Sequence, residues 1–224
     1  ANAVAAYHRD KPFDMGITLG DNIVPVGVTS PSDQRWKGGW EELYDHLGIP
    51  IYAATGNHDW GLADSPAAEI LYSQKSRSWK MPASYYTFTA GPAQFFALST
   101  NAMSETQIQW LDRELARSTA RWKIVYGHHP IYSYSSHGDS PELERMLLPV
   151  LKGRVHAYIA GQLKPGNANV CYGTLAPDMF NYAFEVGALK DVMYDLFHAN
   201  PQLLWNAGGT SVERSLAYCF MNHK

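Results

Sequence analysis

Three short polar strings carry the residue types that could do chemistry in this chain. They are Gly-Asp-Asn at 20–22, Gly-Asn-His-Asp at 56–59 and Gly-His-His-Pro at 127–130, and each follows an apolar run typical of a buried strand. In an open α/β sheet, the carboxyl ends of the strands form the edge where ligands bind. Carboxylate, amide and imidazole groups bind divalent metal ions, so the three strings together predict a metal site at that edge.

Each string by itself also has an ordinary structural explanation. Gly-Asp-Asn is a common turn, although the two carboxylate oxygens of Asp21 could equally bridge two cations. In the second string, the amide oxygen of Asn57 is a weak metal ligand, His58 could protonate a leaving alkoxide, and Asp59 could orient that imidazole. In the third, His128 is a candidate imidazole ligand, and a histidine pair after a strand is also a packing feature.

Strands and helices alternate around these strings. Strands are predicted over 13–19, 49–55, 123–126 and 155–160, with a hairpin over 85–99 that turns at 90–93. Helices are predicted over 40–47 before Gly48, over 104–117 from a capping box of Ser104 with Gln107, and from Ser140-Pro141 to 151. This alternation predicts an α/β fold.

Composition limits the class of protein. The 224 residues are 46% hydrophobic and 17% charged, which is enough to bury a core, so we expect one domain. The formal net charge of −3 gives no footprint for nucleic acid or for an anionic membrane. We expect no membrane span and find no signal peptide, and the two cysteines, Cys171 and Cys219, say little about the redox compartment.

The motifs resemble the metallophosphoesterase superfamily, and specifically its purple acid phosphatase branch, which includes tartrate-resistant acid phosphatase. The likeness covers residues 8–165 and extends in order and spacing to the stretches 79–86, 95–98, 109–111 and 127–138. It implies an α/β sandwich of two mixed β-sheets flanked by helices, with a metallophosphoesterase domain at 1–165. The segment 166–224 is then expected to complete the same domain.

The resemblance also implies a reaction and a ligand set. Two metal ions, iron with iron, zinc or manganese, would act on a small phosphorylated substrate, and a metal-bound hydroxide would attack a phosphomonoester. On that analogy Asp21 bridges the metals, while Asn57 and His128 bind one of them. His58 and His137 contact the phosphate or protonate the leaving group, with His58 as the general acid. Acid phosphatases of this kind are often exported, so we expect an extracytoplasmic location.

The sequence departs from the family pattern at three places. An earlier Asp-containing motif that supplies a ligand to the first metal is not found in it. Val24 stands where the purple members have a tyrosine, so the colour of an iron–tyrosinate bond is not expected. After Gly161 the family has Gly-His-x-His, whereas this sequence continues with Gln162. The first metal would keep only the bridging Asp21, which is too few ligands for a four-coordinate site.

Two explanations of these departures stay open. Either the sequence omits stretches that hold the missing Asp and His ligands, which we favour, or the chain is truly truncated and catalytically weak or dead. Hydrolysis of phosphomonoesters is the function expected first. The alternatives are a non-catalytic phosphate-ligand-binding or scaffold domain that has lost its metals, and a phosphodiesterase or nucleotide hydrolase on the same fold.

Overall fold

The computed structural model describes residues 2–10, 12–132 and 139–161. The helices are α1 (Asn2–Asp10), α2 (Glu42–Tyr44), α3 (Ser65–Tyr72), α4 (Glu105–Arg117) and α5 (Pro141–Leu151). The strands are β1 (Gly16–Leu19), β2 (Ile51–Ala54), β3 (Trp79–Lys80), β4 (Tyr86–Ala90), β5 (Ala93–Ala97), β6 (Trp122–Gly127) and β7 (Ala157–Ala160). The C-terminal segment 166–224 lies outside the described residues, so its place in the same domain stays a prediction.

Two β-sheets form the centre of the part of the chain that the structure describes. The first has the order β1-β2-β3, and its described strands are parallel, with Gly16 opposite Ile51 and Leu19 opposite Ala54. The second has the order β4-β5-β6-β7 and is mixed, because β4 and β5 form the predicted antiparallel hairpin while β5, β6 and β7 are parallel. The predicted α/β fold with two sheets flanked by helices is confirmed.

Aromatic residues join the two sheets face to face. The ring of Tyr52 on β2 stacks on that of Phe88 on β4, with ring centroids 3.6 Å apart. The hydroxyl of Tyr86 donates to the carbonyl of Ala53 at 2.8 Å, and the hydroxyl of Tyr126 donates to the carbonyl of Tyr52 at 3.4 Å. Burial raises the pKa of both these hydroxyls, so they stay neutral donors between the sheets.

Helices α4 and α5 cover the outer face of the second sheet. The predicted N-terminus of α4 is confirmed, since the hydroxyl of Ser104 accepts from the backbone N–H of Gln107 at 3.2 Å. Apolar residues at helical spacing then face the sheet and form one buried cluster with it, which includes Ile108, Leu111 and Leu115 from α4, Leu143, Leu147 and Leu151 from α5, and Phe96, Val125 and Tyr158 from the strands. None of the helices in the described ranges is long and apolar enough to cross a bilayer.

The helix predicted over 40–47 is irregular. A π-helical turn at Lys37–Glu41 leads into the three-residue α2, and a 3₁₀ turn at Asp45–Leu47 follows. Two successive glycines, Gly38 and Gly39, weaken the helical conformation at its start. The predicted end is confirmed, because Gly48 has a left-handed φ of 69° and its N–H donates to the carbonyl of Asp45 at 3.2 Å.

Leu111→Ala tests how far the fold depends on this covered sheet. Leu111 is 0% exposed, so truncation leaves a cavity and we expect a loss of about 2–5 kcal/mol in the free energy of unfolding, measured by chemical denaturation. Leu71→Ala is the matched control, because Leu71 is 48% exposed and its truncation should change stability by less than about 0.5 kcal/mol. Equal losses in the two variants would contradict the assignment of the core.

Candidate metal and active site

The loops that follow β1, β2 and β6 meet at one edge of the sandwich. The first two loops touch through their backbones, since a Cβ on Gly20 would lie 2.6 Å from the Cα of Gly56. A Cβ on Gly56 would in turn lie 2.2 Å from Oδ1 of Asp21. Both positions therefore require glycine. The close approach holds Asp21, whose φ is 54°, directly against the loop that carries Asn57.

Three acceptor atoms face one another at this edge. Nδ1 of the buried His128 lies 2.8 Å from the carbonyl oxygen of Leu19, and a carbonyl only accepts, so Nδ1 carries the proton. In the neutral ring Nε2 is then an acceptor. It lies 3.0 Å from Oδ1 of Asn57 and 3.5 Å from Oδ2 of Asp21. Lone pairs from an imidazole, an amide and a carboxylate thus point into the same space.

This donor set fits a divalent metal ion. Imidazole nitrogen with amide and carboxylate oxygen suits zinc, iron or manganese, and catalytic sites commonly use three protein ligands with a position left open. Within the described ranges no group of three or more His, Cys, Asp or Glu side chains could hold a metal ion. The candidate site has only two such side chains, because its third donor is the amide of Asn57. The sequence-predicted ligands Asp21, Asn57 and His128 are therefore brought together.

Asp59 lies beneath the site and ties its loops together. The side chain is fully buried, and Oδ1 accepts from the backbone N–H groups of Asn22 at 2.9 Å and Ile23 at 3.2 Å. Oδ2 accepts from the backbone N–H of Gly56 at 2.7 Å and from Nδ2 of Asn22 at 2.9 Å. Four N–H donors thus fill its acceptor positions. None of these four contacts is to the imidazole of His58, which the sequence analysis expected Asp59 to orient.

The imidazole of His58 is oriented by a backbone carbonyl instead. Its Nδ1 lies 2.6 Å from the carbonyl oxygen of Pro25, which can only accept, so Nδ1 donates there. The backbone N–H of His58 donates to Oδ1 of Asp21 at 3.0 Å, which links the exposed histidine to the candidate metal ligand. Nε2 is left as the nitrogen that can exchange a proton. His137 lies outside the described residues, and its contact with phosphate stays a prediction.

A second buried carboxyl group, Glu69 on α3, lies next to Asp59 and had no signal in the sequence. Its Oε1 accepts from the hydroxyl of Ser65 at 3.2 Å, and that hydroxyl accepts from the backbone N–H of Val28 at 3.0 Å. Burial, and then the charge of Asp59, raise the pKa of Glu69 well above its ordinary value. Burial also raises the pKa of Asp59, but its backbone N–H donors oppose that shift, so the charged form is disfavoured more strongly at Glu69.

The chain is similar to known proteins along most of its described residues. A family model described as calcineurin-like phosphoesterase matches residues 2–161. Tartrate-resistant acid phosphatase type 5 is 27% identical in Sus scrofa and 30% identical in Mus musculus, in each case over 72% of this chain and over 56% and 58% of the relative. Purple acid phosphatase 7 of Arabidopsis thaliana is 29% identical over 66% of this chain and 53% of its own length. The chain therefore spans little more than half the length of these relatives.

A solved structure is similar as well. It is described as "GAP50 the anchor in the inner membrane complex of Plasmodium", and it superposes with a TM-score of 0.58 at 25% identity. The match covers 71% of this chain and 58% of the other. The neighbour thus shares the fold of the described residues, and its own description names an anchoring role.

Glu69→Gln tests the buried carboxyl pair. Above the ordinary pKa of 4.5 the unfolded chain releases a proton from Glu69 that the folded protein keeps, so wild-type stability falls as pH rises towards the raised folded pKa. The variant lacks this group. We expect the free energy of unfolding of the variant, minus that of the wild type, to rise by about 1.4 kcal/mol per pH unit in that window, measured by urea denaturation.

The exposed Glu42→Gln is the control for that experiment, and its stability should follow the wild-type pH dependence. Parallel curves for wild type and Glu69→Gln above pH 4.5 would show that Glu69 ionises normally in the folded protein.

Proposed function

Because the chain belongs to the calcineurin-like phosphoesterase family, we propose that it hydrolyses phosphomonoesters at a metal centre held by Asp21, Asn57 and His128. The observation that carries the proposal is the convergence of Nε2 of His128, Oδ1 of Asn57 and Oδ2 of Asp21 on one space. The likeness to acid phosphatases over most of the described residues supports the reaction class. Phosphoesterases of this family generally use a binuclear metal centre.

The chain's own residues bind the metal and hold it in place. Bound metal would polarise the phosphoryl oxygens and lower the pKa of a water molecule. Oδ1 of Asp21 accepts from the backbone of His58, so Oδ2 is the oxygen directed to the cation. The bond from Nδ1 of His128 to the Leu19 carbonyl keeps Nε2 directed to the same place. In a binuclear centre Asp21 would contribute to holding both ions, and we assign no further ligand of the second ion to the described residues.

His58 is proposed as the general acid. Its Nδ1 proton is held by the carbonyl of Pro25, so the proton given to the leaving alkoxide is the one on Nε2. The backbone bond to Asp21 keeps the imidazole beside the metal ligand. His137 is proposed as a second group that contacts the phosphate. Asp59 is proposed to support catalysis by holding the two loops that carry Asp21 and His58.

Substrate class and location belong to the same proposal. We infer that small phosphorylated molecules are the substrates, and a diesterase or nucleotide hydrolase would show itself by faster cleavage of bis(4-nitrophenyl) phosphate or ATP than of monoesters. We further propose an extracytoplasmic location, since related acid phosphatases include secreted or lysosomal forms.

A scaffold role is the second candidate, and one observation favours it. The similar solved structure is described as an anchor, which is a binding role on the same fold. On this alternative the three acceptors would be satisfied without a metal, either by a protonated His128 or by an Asn57 amide turned to present its NH₂ group. Absence of metal binding and of phosphatase activity, in protein reconstituted with iron, zinc and manganese, would favour the scaffold.

His58→Ala tests the proposed general acid. We expect a loss of turnover of about 10²- to 10⁴-fold on glycerol phosphate and a smaller loss on 4-nitrophenyl phosphate, whose leaving group needs less protonation. Metal content, measured by elemental analysis, should be unchanged because the imidazole is not a proposed ligand.

His46→Ala is the control, since His46 is exposed in the 3₁₀ turn before Gly48 and has no place in the proposed site. Equal losses of metal and turnover in His58→Ala, or equal losses on the two substrates, would contradict the acid role.

A further inference from the structure

The hydroxyl of Thr100 fills all of its hydrogen-bonding positions at the end of β6. Oγ1 lies 3.3 Å from the backbone nitrogen of His128 and 3.0 Å from that of His129, so it accepts from both. It also lies 2.8 Å from Nδ1 of the His129 ring. Because the two backbone N–H groups occupy its lone pairs, the proton of the hydroxyl goes to Nδ1 of His129. A single buried hydroxyl thus fixes two successive peptide groups and one imidazole.

Thr100 is itself held by the first turns of α4. The side chain of Gln107 is fully buried, and its Oε1 accepts from the backbone N–H of Ser99 at 2.9 Å. Its Nε2 donates back to the carbonyl of Ser99 at 3.2 Å. Gln107 therefore binds both the N–H and the carbonyl of Ser99, the residue before Thr100. These bonds fix the position of the Thr100 hydroxyl relative to the second sheet.

The methyl group of Thr100 also contacts the end of the strand. A Cβ on Gly127 would lie 2.7 Å from Cγ2 of Thr100, so the methyl packs directly against the glycine that precedes His128. The hydroxyl and the methyl of Thr100 thus both contact this turn. The hydroxyl of Tyr158 also binds it, since it donates to the carbonyl of His129 at 2.7 Å.

We propose that Thr100 is the positioning residue of the candidate metal site, setting the backbone after β6 so that His128 reaches Asn57 and Asp21. Thr100 acts through the peptide groups of 128 and 129 and is not a ligand. Its effect on metal binding rests on the function proposed above, whereas its effect on the geometry of His129 does not. Loss of the hydroxyl leaves two backbone N–H groups without an acceptor and frees the peptide planes to tilt.

Thr100→Val and Thr100→Ser distinguish the effect of the hydroxyl group on metal binding from that of the methyl group. Valine keeps the shape and removes the hydroxyl, so we expect Zn²⁺ affinity, measured by competition with a chromogenic chelator, to fall about 10- to 100-fold. Serine keeps the hydroxyl and should retain affinity close to that of the wild type. Thr106→Val, at an exposed position on α4, is the matched control and should bind Zn²⁺ as the wild type does.

A readout without metal makes the test independent of the proposed function. Imidazole ¹⁵N shifts of the metal-free protein should show Nδ1 of His129 unprotonated in wild type and in Thr100→Ser, and changed in Thr100→Val. If the wild type does not bind Zn²⁺ but these shifts behave as stated, the metal proposal fails and the positioning role stands. Unchanged shifts in Thr100→Val, or a loss of affinity in Thr100→Ser equal to that in Thr100→Val, would overturn the role of the hydroxyl.

Discussion

The candidate site depends on one buried interaction, in which the carboxylate of Asp59 accepts N–H bonds from both of the loops that carry the first two polar strings. Burying a carboxylate is costly, and here four donors compensate for the lost water. Because these donors belong to Asn22, Ile23 and Gly56, the same bonds that stabilise the carboxylate fix Asp21 beside Asn57. Burial raises the pKa of Glu69, which disfavours a second charge next to this carboxylate.

The third ligand comes from the other sheet, so the site also depends on how the two sheets pack. His128 follows β6 of the second sheet, while the loops that Asp59 joins follow β1 and β2 of the first. The bonds from Tyr86 and Tyr126 to backbone carbonyls of β2 fix one sheet against the other. A shift between the sheets would separate Nε2 of His128 from Asn57, which makes the sandwich itself part of the binding site.

Local sequence patterns predict the structural features that depend on residues a few positions apart in the chain. The hairpin, α4 with Ser104 as its N-cap, and the end at Gly48 depend on residues a few positions apart, and all three were predictable. The second half of the predicted capping box does not form, because the side chain of Gln107 binds the backbone of Ser99 instead. Helices α1 and α3 and the two-residue β3 gave no periodic signal strong enough to be predicted.

The candidate site likewise has one part that the sequence predicts and another that it does not. Which residues are candidate ligands follows from their types and positions after strands. Three of the four donors to Asp59 do not, because they lie 36 and 37 residues earlier in the chain and are largely backbone groups, which carry no signal of their own in a sequence. The carbonyl of Pro25 lies 33 residues from His58, and the hydroxyl of Thr100 lies 28 and 29 residues from the backbone groups that it binds, so neither contact was predicted.

Anomalous diffraction from crystals soaked in Zn²⁺ is the sharpest test of the proposed metal site, because it locates the ion among named atoms. We expect an anomalous peak bounded by Oδ2 of Asp21, Oδ1 of Asn57 and Nε2 of His128, at about 2.0–2.2 Å from each. Soaked crystals with no peak among these atoms, and with His128 hydrogen-bonded directly to Asn57, would contradict it.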